Sequence, residues 1–165
     1  MQARTMITFE EHGTKFTFRV AGIAIHHERI LFQYADGPNP FWFLPGGRAE
    51  LGETAEQALQ REIQEELGLQ AHIVRLLYVV ENFFTNAGGT HHHEIGFYFL
   101  LTLPEERAAN LYQQTGRFAW EKGEEYLQWA WLPIEQLPDL PVYPEFLRTA
   151  LATLPDHPIH IVAKD

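Results

Sequence analysis

The chain has 165 residues, 45% hydrophobic and 13% aromatic, so it can bury a core as one domain over residues 1–165 and is not disordered. It contains no cysteine, which excludes a disulfide framework, a thiolate zinc site and a cysteine nucleophile. A formal net charge of −10 opposes general nucleic-acid binding, and a phosphorylated ligand would need cations such as divalent metal ions at its site.

The first part of the chain has the alternation of apolar and polar residues that is typical of strands. Residues 16–26 (FTFRVAGIAIH) and 29–34 (RILFQY) predict a β-hairpin. A shorter apolar run at residues 41–44 ends in the tripeptide PGG, residues 45–47, which predicts a turn.

The clearest helix in the sequence comes next. Thr54 and Gln57 fit a capping box at its start, and Gly68 occupies the position of a glycine that ends a helix. Its apolar residues recur at helical spacing, at Ala55, Leu59, Ile63 and Leu67.

The second half of the chain returns to strands. The pattern predicts strands at 72–82, 93–103 and 126–132, short helices at 134–137 and 144–154, and an edge strand in the tail HIVAKD. The polar segment between residues 104 and 123 is predicted to be irregular and partly helical. Strands before and after one long capped helix indicate a mixed α/β domain, although periodicity does not fix its topology.

Three carboxylates share one side of the long helix. At about 100° per residue, Glu62, Glu65 and Glu66 fall within an arc about 100° wide, beside the apolar stripe. Like charges at this spacing destabilise a helix by about 0.2–0.5 kcal/mol per pair, and a hard divalent cation would remove that repulsion. For the helix considered alone, a solvated acidic face is the better explanation of the pattern.

The surroundings of the helix carry a more specific pattern. Residues 47–69 read GRAELGETAEQALQREIQEELGL, which resembles the Nudix box at every specified position, and residues 42–46 match its usual lead-in. The resemblance to the Nudix hydrolases extends more loosely over nearly the whole chain. It implies an α/β/α sandwich with a mixed sheet, and metal-dependent hydrolysis of a diphosphate linkage in a nucleoside diphosphate derivative.

The resemblance also implies roles for individual residues. Glu65 and Glu66 would be the main ligands of Mg²⁺, for which Mn²⁺ is a substitute, and the backbone carbonyl of Gly46 a further ligand. Glu62 would bind metal or orient the attacking water. Arg61 would hold the glutamates in place, and Glu53 would anchor the loop by pairing with Arg61.

Candidates for an additional catalytic group lie downstream. Glu94 begins a predicted strand that could run beside the box helix, while Glu124 and Glu125 lie where relatives often carry a base or a metal ligand. For the latter two, an ordinary solvated loop is an equal alternative. The preceding histidines, residues 91–93, are interpreted mainly as a polar strand entry and not as a metal site.

Aromatic residues at 41–43 and 83–84 could stack on a base, but most of them are expected in the core. The box is followed by neither of the residues that indicate ADP-ribose or dinucleoside polyphosphates in relatives, so the substrate stays open. A monomer and a homodimer remain alternatives. The N-terminus has no apolar run typical of a signal peptide, which predicts a cytoplasmic protein without membrane contact.

Two other functions remain as alternatives to a Nudix pyrophosphohydrolase. The first is a catalytically silent module of the same fold that senses a nucleotide-like ligand, which a degenerate box would favour. The second is an isomerase of prenyl diphosphates, whose chemistry requires a cysteine. The box is intact and the chain has no cysteine, so hydrolysis is the favoured prediction.

Overall fold

The computed structural model describes residues 3–113, 117–122 and 125–165, and within 112–127 it describes only the backbone. The strands are β1 (Thr8–Glu11), β2 (Thr14–His26), β3 (Arg29–Ala35), β4 (Phe41–Phe43), β5 (Gly46–Arg48), β6 (His72–Thr85), β7 (His91–Thr102), β8 (Arg117–Lys122), β9 (Glu125–Pro133) and β10 (Ile159–Lys164). The helices are α1 (Ala55–Leu67), α2 (Glu105–Gln113), a 3₁₀-helix (Ile134–Asp139) and α3 (Leu147–Ala150). Within these ranges no helix has the length and apolar character needed to cross a membrane.

One mixed sheet organises the chain. Its main strands follow the order β10-β6-β7-β2-β3-β9-β8, with β1 and β5 paired to β2 and β4 paired to β3. The pairs β2–β7 and β6–β10 are parallel and the others antiparallel. The mixed α/β fold predicted from the sequence is therefore confirmed.

Alternate residues of the central strands enter two separate cores, because successive strand side chains point to opposite faces. Val20 and Leu31 pack in the core that holds the apolar stripe of α1. Their neighbours Ala21 and Phe32 pack on the other face, in a core that includes Leu137, Leu147 and Leu151 from the C-terminal helices and the segment that follows them. Helices thus cover both faces of the sheet.

The predicted caps of α1 are confirmed. Thr54 Oγ1 accepts a hydrogen bond from the Gln57 backbone at 3.2 Å, and Gln57 Oε1 accepts one from the Thr54 backbone at 2.8 Å. Gly68 ends the helix in the left-handed conformation, with φ of 65°. The reciprocal bonds satisfy two amides that a helix start otherwise leaves unpaired, and so fix where α1 begins relative to the preceding loop.

Two local predictions are wrong. The turn expected at residues 45–47 is a bend at Pro45 only, and both glycines belong to β5, where Gly46 pairs with Ala21 of β2. A Cβ at Gly46 would lie 2.0 Å from the Val20 carbonyl oxygen, so glycine serves here for close strand approach. The segment expected to be irregular and partly helical contains α2, as anticipated, but also β8.

Candidate functional site

The acidic side of α1 is largely buried. Glu62 and Glu66 are only 7% and 8% exposed, and the Glu65 side chain is 32% exposed. A solvated acidic face, the simpler interpretation of the sequence, is therefore wrong for Glu62 and Glu66. Burial of two carboxylates costs free energy unless partners compensate their charge, so the surroundings of the helix carry the explanation.

Arg61 supplies much of that compensation. Its guanidinium donates to Glu53 at 2.6 Å and 3.1 Å, to Glu62 Oε1 at 2.7 Å and to the backbone carbonyl of Arg48 at 2.9 Å. These hydrogen bonds hold the pKa of the Glu53 carboxyl below its ordinary value, and they raise that of Arg61. Arg61 thereby connects α1 to the loop before it and to the end of β5.

The backbone of β5 lies directly against Glu62. A Cβ at Gly47 would lie 2.3 Å from the Glu62 carboxyl carbon and 2.5 Å from each of its oxygens. No real side chain atom tolerates such an approach, so the glycine is what admits the carboxylate at this point. Position 47 therefore needs glycine for space, whatever its backbone conformation.

A second arginine reaches the acidic side from the N-terminal segment. Arg4 donates to Glu50 at 2.6 Å and to Glu65 at 2.7 Å. Backbone bonds from Ile7 to Ala49 and from Leu51 to Thr5 hold that segment beside the loop. Sequence reasoning missed Arg4, because nothing in a local pattern links it to residues so far along the chain.

The donor set matches a hard cation in chemistry but is not assembled as a site. Glu62, Glu65, Glu66 and the Gly46 carbonyl offer only oxygen atoms, which Mg²⁺ and Mn²⁺ prefer. Yet within the described ranges no three acidic or histidine side chains are gathered as metal ligands. Arg61 holds Glu62 through Oε1 and Arg4 holds Glu65 through Oε1, and the second oxygen of each carboxylate offers further lone pairs to a cation.

A cavity of about 580 Å³ lies on the opposite face of the sheet from α1. This volume suits a small organic ligand. Its walls carry five aromatic side chains, and its polar lining consists of an arginine, three asparagines, a threonine and two carboxylates. The aromatic residues are Phe41, Phe43, Phe84, Tyr98 and Tyr143, and the polar residues are Arg19, Asn39, Asn82, Thr85, Asn86, Glu94 and Asp165.

Arg19 is the cation among the described residues that line this cavity. Its guanidinium donates to the Leu44 carbonyl at 3.0 Å and lies 5.7 Å from the centre of the Phe43 ring. On β2 it pairs with Arg48 of β5, the strand whose Gly47 backbone contacts Glu62. The cavity therefore adjoins β2 and the acidic side of α1 adjoins its partner strand β5, which sequence periodicity did not reveal.

The three downstream glutamates fall in different places. Glu94 lines the cavity, on the face of the sheet opposite α1, while β7 itself shares a core with α1 through Phe99 and Leu101. Glu124 lies outside the described residues. Glu125 begins β9, but its side chain lies outside the description as well.

The histidine triplet packs along the end of β7. His91 contacts the Thr85 hydroxyl at 2.9 Å, His92 stacks on Phe84 with ring centres 4.6 Å apart, and His93 stacks on Phe83 at 4.5 Å. These contacts match the interpretation as a strand entry.

The aromatic residues considered for base stacking divide between core and cavity. Trp42 is buried in the core, as expected, whereas Phe41, Phe43 and Phe84 line the cavity. The expectation that most of these rings serve the core is therefore wrong. The alternation along β4 accounts for the split, because it turns Trp42 to one side and its two neighbours to the other.

Comparison with known proteins gives consistent relatives. A putative mutator protein MutT4 of Mycobacterium tuberculosis is 31% identical over 109 residues, which cover 66% of this chain and 39% of that protein. An 8-oxo-dGTP diphosphatase of Proteus vulgaris is 50% identical over 44 residues, or 27% of this chain and 39% of that protein. The chain thus spans well under two thirds of the length of these curated relatives.

Structural comparison agrees at the level of the fold. An ADP-ribose pyrophosphatase from Streptococcus suis superimposes with a TM-score of 0.55 and 17% identity, over 88% of this chain and 98% of that one. The family model described as NUDIX domain matches residues 16–153, a range that includes β5, α1 and most of the cavity wall. The chain belongs to the NUDIX domain family.

Proposed function

We propose that this chain hydrolyses a diphosphate linkage in a nucleoside diphosphate derivative, by attack of water at phosphorus. The observation that carries the proposal is that two unlike sites adjoin the paired strands β2 and β5. One is an all-oxygen acidic cluster on α1, and the other is an aromatic cavity with a single described cation. A molecule with a ring at one end and a diphosphate at the other could occupy both.

We assign the acidic cluster to a divalent metal site, with Mg²⁺ as the metal and Mn²⁺ as a substitute. Glu65 and Glu66 are the principal ligands in this proposal, with Glu62 and the Gly46 carbonyl as additional ones. A bound divalent ion supplies neutralisation of phosphate charge and a lower pKa for water. The negative net charge of the protein makes such neutralisation necessary for an anionic substrate.

The protein's own residues position the reactants. Glu62 accepts a proton from the attacking water or orients it, and its carboxylate is held by Arg61 on one side and by the Gly47 backbone on the other. Glu53 in turn fixes Arg61 through two hydrogen bonds. Placement of this kind can provide several orders of magnitude in rate without covalent chemistry by the protein.

Arg19 and the aromatic walls hold the substrate in the proposal. The Arg19 guanidinium lines the cavity and can pair with a phosphate oxygen. The rings of Phe41, Phe43 or Phe84 can then contact the base. The substrates of the named relatives, 8-oxo-dGTP and ADP-ribose, are both nucleotides with a diphosphate linkage. That agreement supports the class of substrate and leaves its identity open.

A substrate screen tests the proposal. Nucleoside di- and triphosphates, nucleotide sugars, dinucleoside polyphosphates and ADP-ribose are incubated with the protein and Mg²⁺, and the products are identified. We expect cleavage at a diphosphate linkage, lost in Glu66→Gln and retained in Glu56→Gln, an exposed change on the same helix. Ligand binding without turnover of any substrate would instead favour the silent sensing module.

A further inference from the structure

Asn82 and Glu94 form a polar pair within the mostly apolar cavity. They occupy directly opposite positions on β6 and β7, and both line the cavity. Asn82 Nδ2 donates to Glu94 Oε1 at 3.3 Å. Because the two strands are central to the sheet, the position of the pair is fixed by the backbone and not by a loop.

The chemistry of the pair determines which way the asparagine faces. A carboxylate only accepts hydrogen bonds, so the amide nitrogen of Asn82 must point to Glu94 and the amide oxygen away from it. Asn82 is 6% exposed, and its Oδ1 has no hydrogen-bond donor among the residues that the structure describes. That oxygen is closed to solvent, so Asn82 acts on the cavity through the bond by which it holds Glu94.

Three other polar groups of the cavity leave Glu94 available to a ligand. Asn86 is engaged with the Thr90 backbone and with His92, and Arg19 is directed at the Leu44 carbonyl. Asp165 adds another carboxylate, and burial raises its pKa. The carboxylate of Glu94 is therefore the hydrogen-bond acceptor that this part of the wall presents to a ligand.

We propose that Asn82 and Glu94 select a guanine-type ring, whose edge carries two adjacent N–H donors. This inference rests on the proposed function only in placing the base of a nucleotide in the cavity. The ring N–H and the exocyclic amino group of guanine are side by side, so one carboxylate can accept from both. Adenine and cytosine place an acceptor nitrogen beside their amino group, which would face the carboxylate unfavourably.

The same edge is present in guanine and in its 8-oxo derivative. Oxidation at carbon 8 alters the opposite side of the purine, so Asn82 and Glu94 would accept both forms alike. Discrimination between them, where it exists, must come from another part of the cavity. Inosine is the sharper probe, because it differs from guanosine only by the missing exocyclic amino group.

Binding of nucleoside monophosphates tests the inference without any need for hydrolysis. Calorimetry with GMP, IMP and AMP is performed in EDTA, so that turnover cannot occur. We expect GMP to bind on the order of 10- to 100-fold more tightly than IMP or AMP, the range for one good bidentate contact to a base. In Glu94→Gln the GMP affinity should fall to that of IMP.

Glu81→Gln is the matched control. Glu81 precedes Asn82 on β6, and its carboxylate faces away from the cavity, with Oε2 at 2.7 Å from His160. The control should retain the guanine preference, and thermal melting of both variants identifies any loss of folding. Asn82→Leu, which removes the partner of Glu94 at similar size, should also reduce the preference.

A parallel measurement of kcat/KM for GDP and IDP with Mg²⁺ completes the test. The inference is overturned when neither binding nor turnover distinguishes guanine from hypoxanthine, or when Glu94→Gln leaves the preference intact. A preference in binding without any hydrolysis would retain the inference and remove the proposed function. Hydrolysis without a preference would do the reverse.

Discussion

The acidic side of α1 and the cavity use similar residue types in opposite ways. On the α1 side, Glu62 and Glu53 are already tied to Arg61, and Glu65 is tied to Arg4. In the cavity, Glu94 has one long contact with Asn82, whose oxygen has no donor among the described residues. The first region is organised in advance around fixed charges, whereas the second leaves hydrogen-bonding capacity for a ligand.

The difference indicates how each region should respond to change. Where charges are paired, removal of one member leaves the other buried and uncompensated, so stability and chemistry change together. Where a hydrogen-bond acceptor is available to a ligand, its substitution changes the selectivity among ligands and leaves the stability of the fold nearly unchanged. The predictions that follow separate these two kinds of response.

The largest effect is expected at Glu66. Glu66→Gln keeps the size of a nearly buried side chain and removes the charge proposed to bind metal, so turnover should fall by about three orders of magnitude, within the range for loss of water activation. Far-ultraviolet circular dichroism should show an intact fold. Wild-type activity of the mutant at saturating Mg²⁺ would mean that Glu66 is not a ligand.

Glu62→Gln should come next, with kcat and kcat/KM reduced together by about 10²–10⁴-fold, as for a general base.

Glu124→Gln and Glu125→Gln test whether the downstream loop supplies a second catalytic group, and we expect a loss of the same size at no more than one of them. Glu94→Gln should instead change selectivity among bases. Full kcat in both loop variants would show that α1 carries the chemistry alone.

Metal binding should raise thermal stability. A ligand that binds only the native state adds about 2.7 kcal/mol at a hundredfold excess over its Kd. Calorimetric melting in EDTA and in millimolar Mg²⁺ should therefore differ for the wild type, and much less for Glu66→Gln. Equal midpoints for the wild type in both conditions would contradict a metal site on α1.

The smallest effect concerns Glu53. Arg61 holds its pKa below the ordinary 4.5, so the carboxylate stabilises the fold above that pH and loses this contribution as the pH falls through the lowered value. Glu53→Gln should cost about 1.5–3 kcal/mol in the free energy of unfolding at neutral pH. Urea denaturation should show the difference shrinking below pH 4.5.

The matched control for this measurement is again Glu56→Gln. Glu56 is exposed on the first turn of α1 and should show almost no such pH dependence. A wild-type advantage over Glu53→Gln that stays constant as the pH is lowered from neutral to strongly acidic would contradict the proposed cause.

The sequence predicted the helix well, because its information is local. The signals for this helix lie within about fifteen positions: a capping box, a terminal glycine and the spacing of apolar residues. Each of them satisfies a physical requirement of a helix. Helical spacing placed three glutamates on one side, and the resemblance to the Nudix box added their roles in binding metal. Neither source could place the carboxylates in the interior, because the neighbours that bury them come from β5 and the loop.

The cavity could not be predicted for the same reason. Arg19, Asn82 and Tyr143 are brought together by strand order and by the return of the chain along the far face. The turn predicted at residues 45–47 failed because glycine in a sequence signals either a turn or a close approach, and only the tertiary partner distinguishes them.

The parallel pairing of β2 with β7 also has a consequence for how the chain reaches its native state. Thr14 pairs with His91, so formation of this strand pair closes a loop of the chain that contains β3, β4, β5, α1 and β6. Such non-local pairing is slow to form, since the entropy of closure is lost before the contacts are gained. Both regions discussed above depend on that pair, and we expect them to appear together, late in folding.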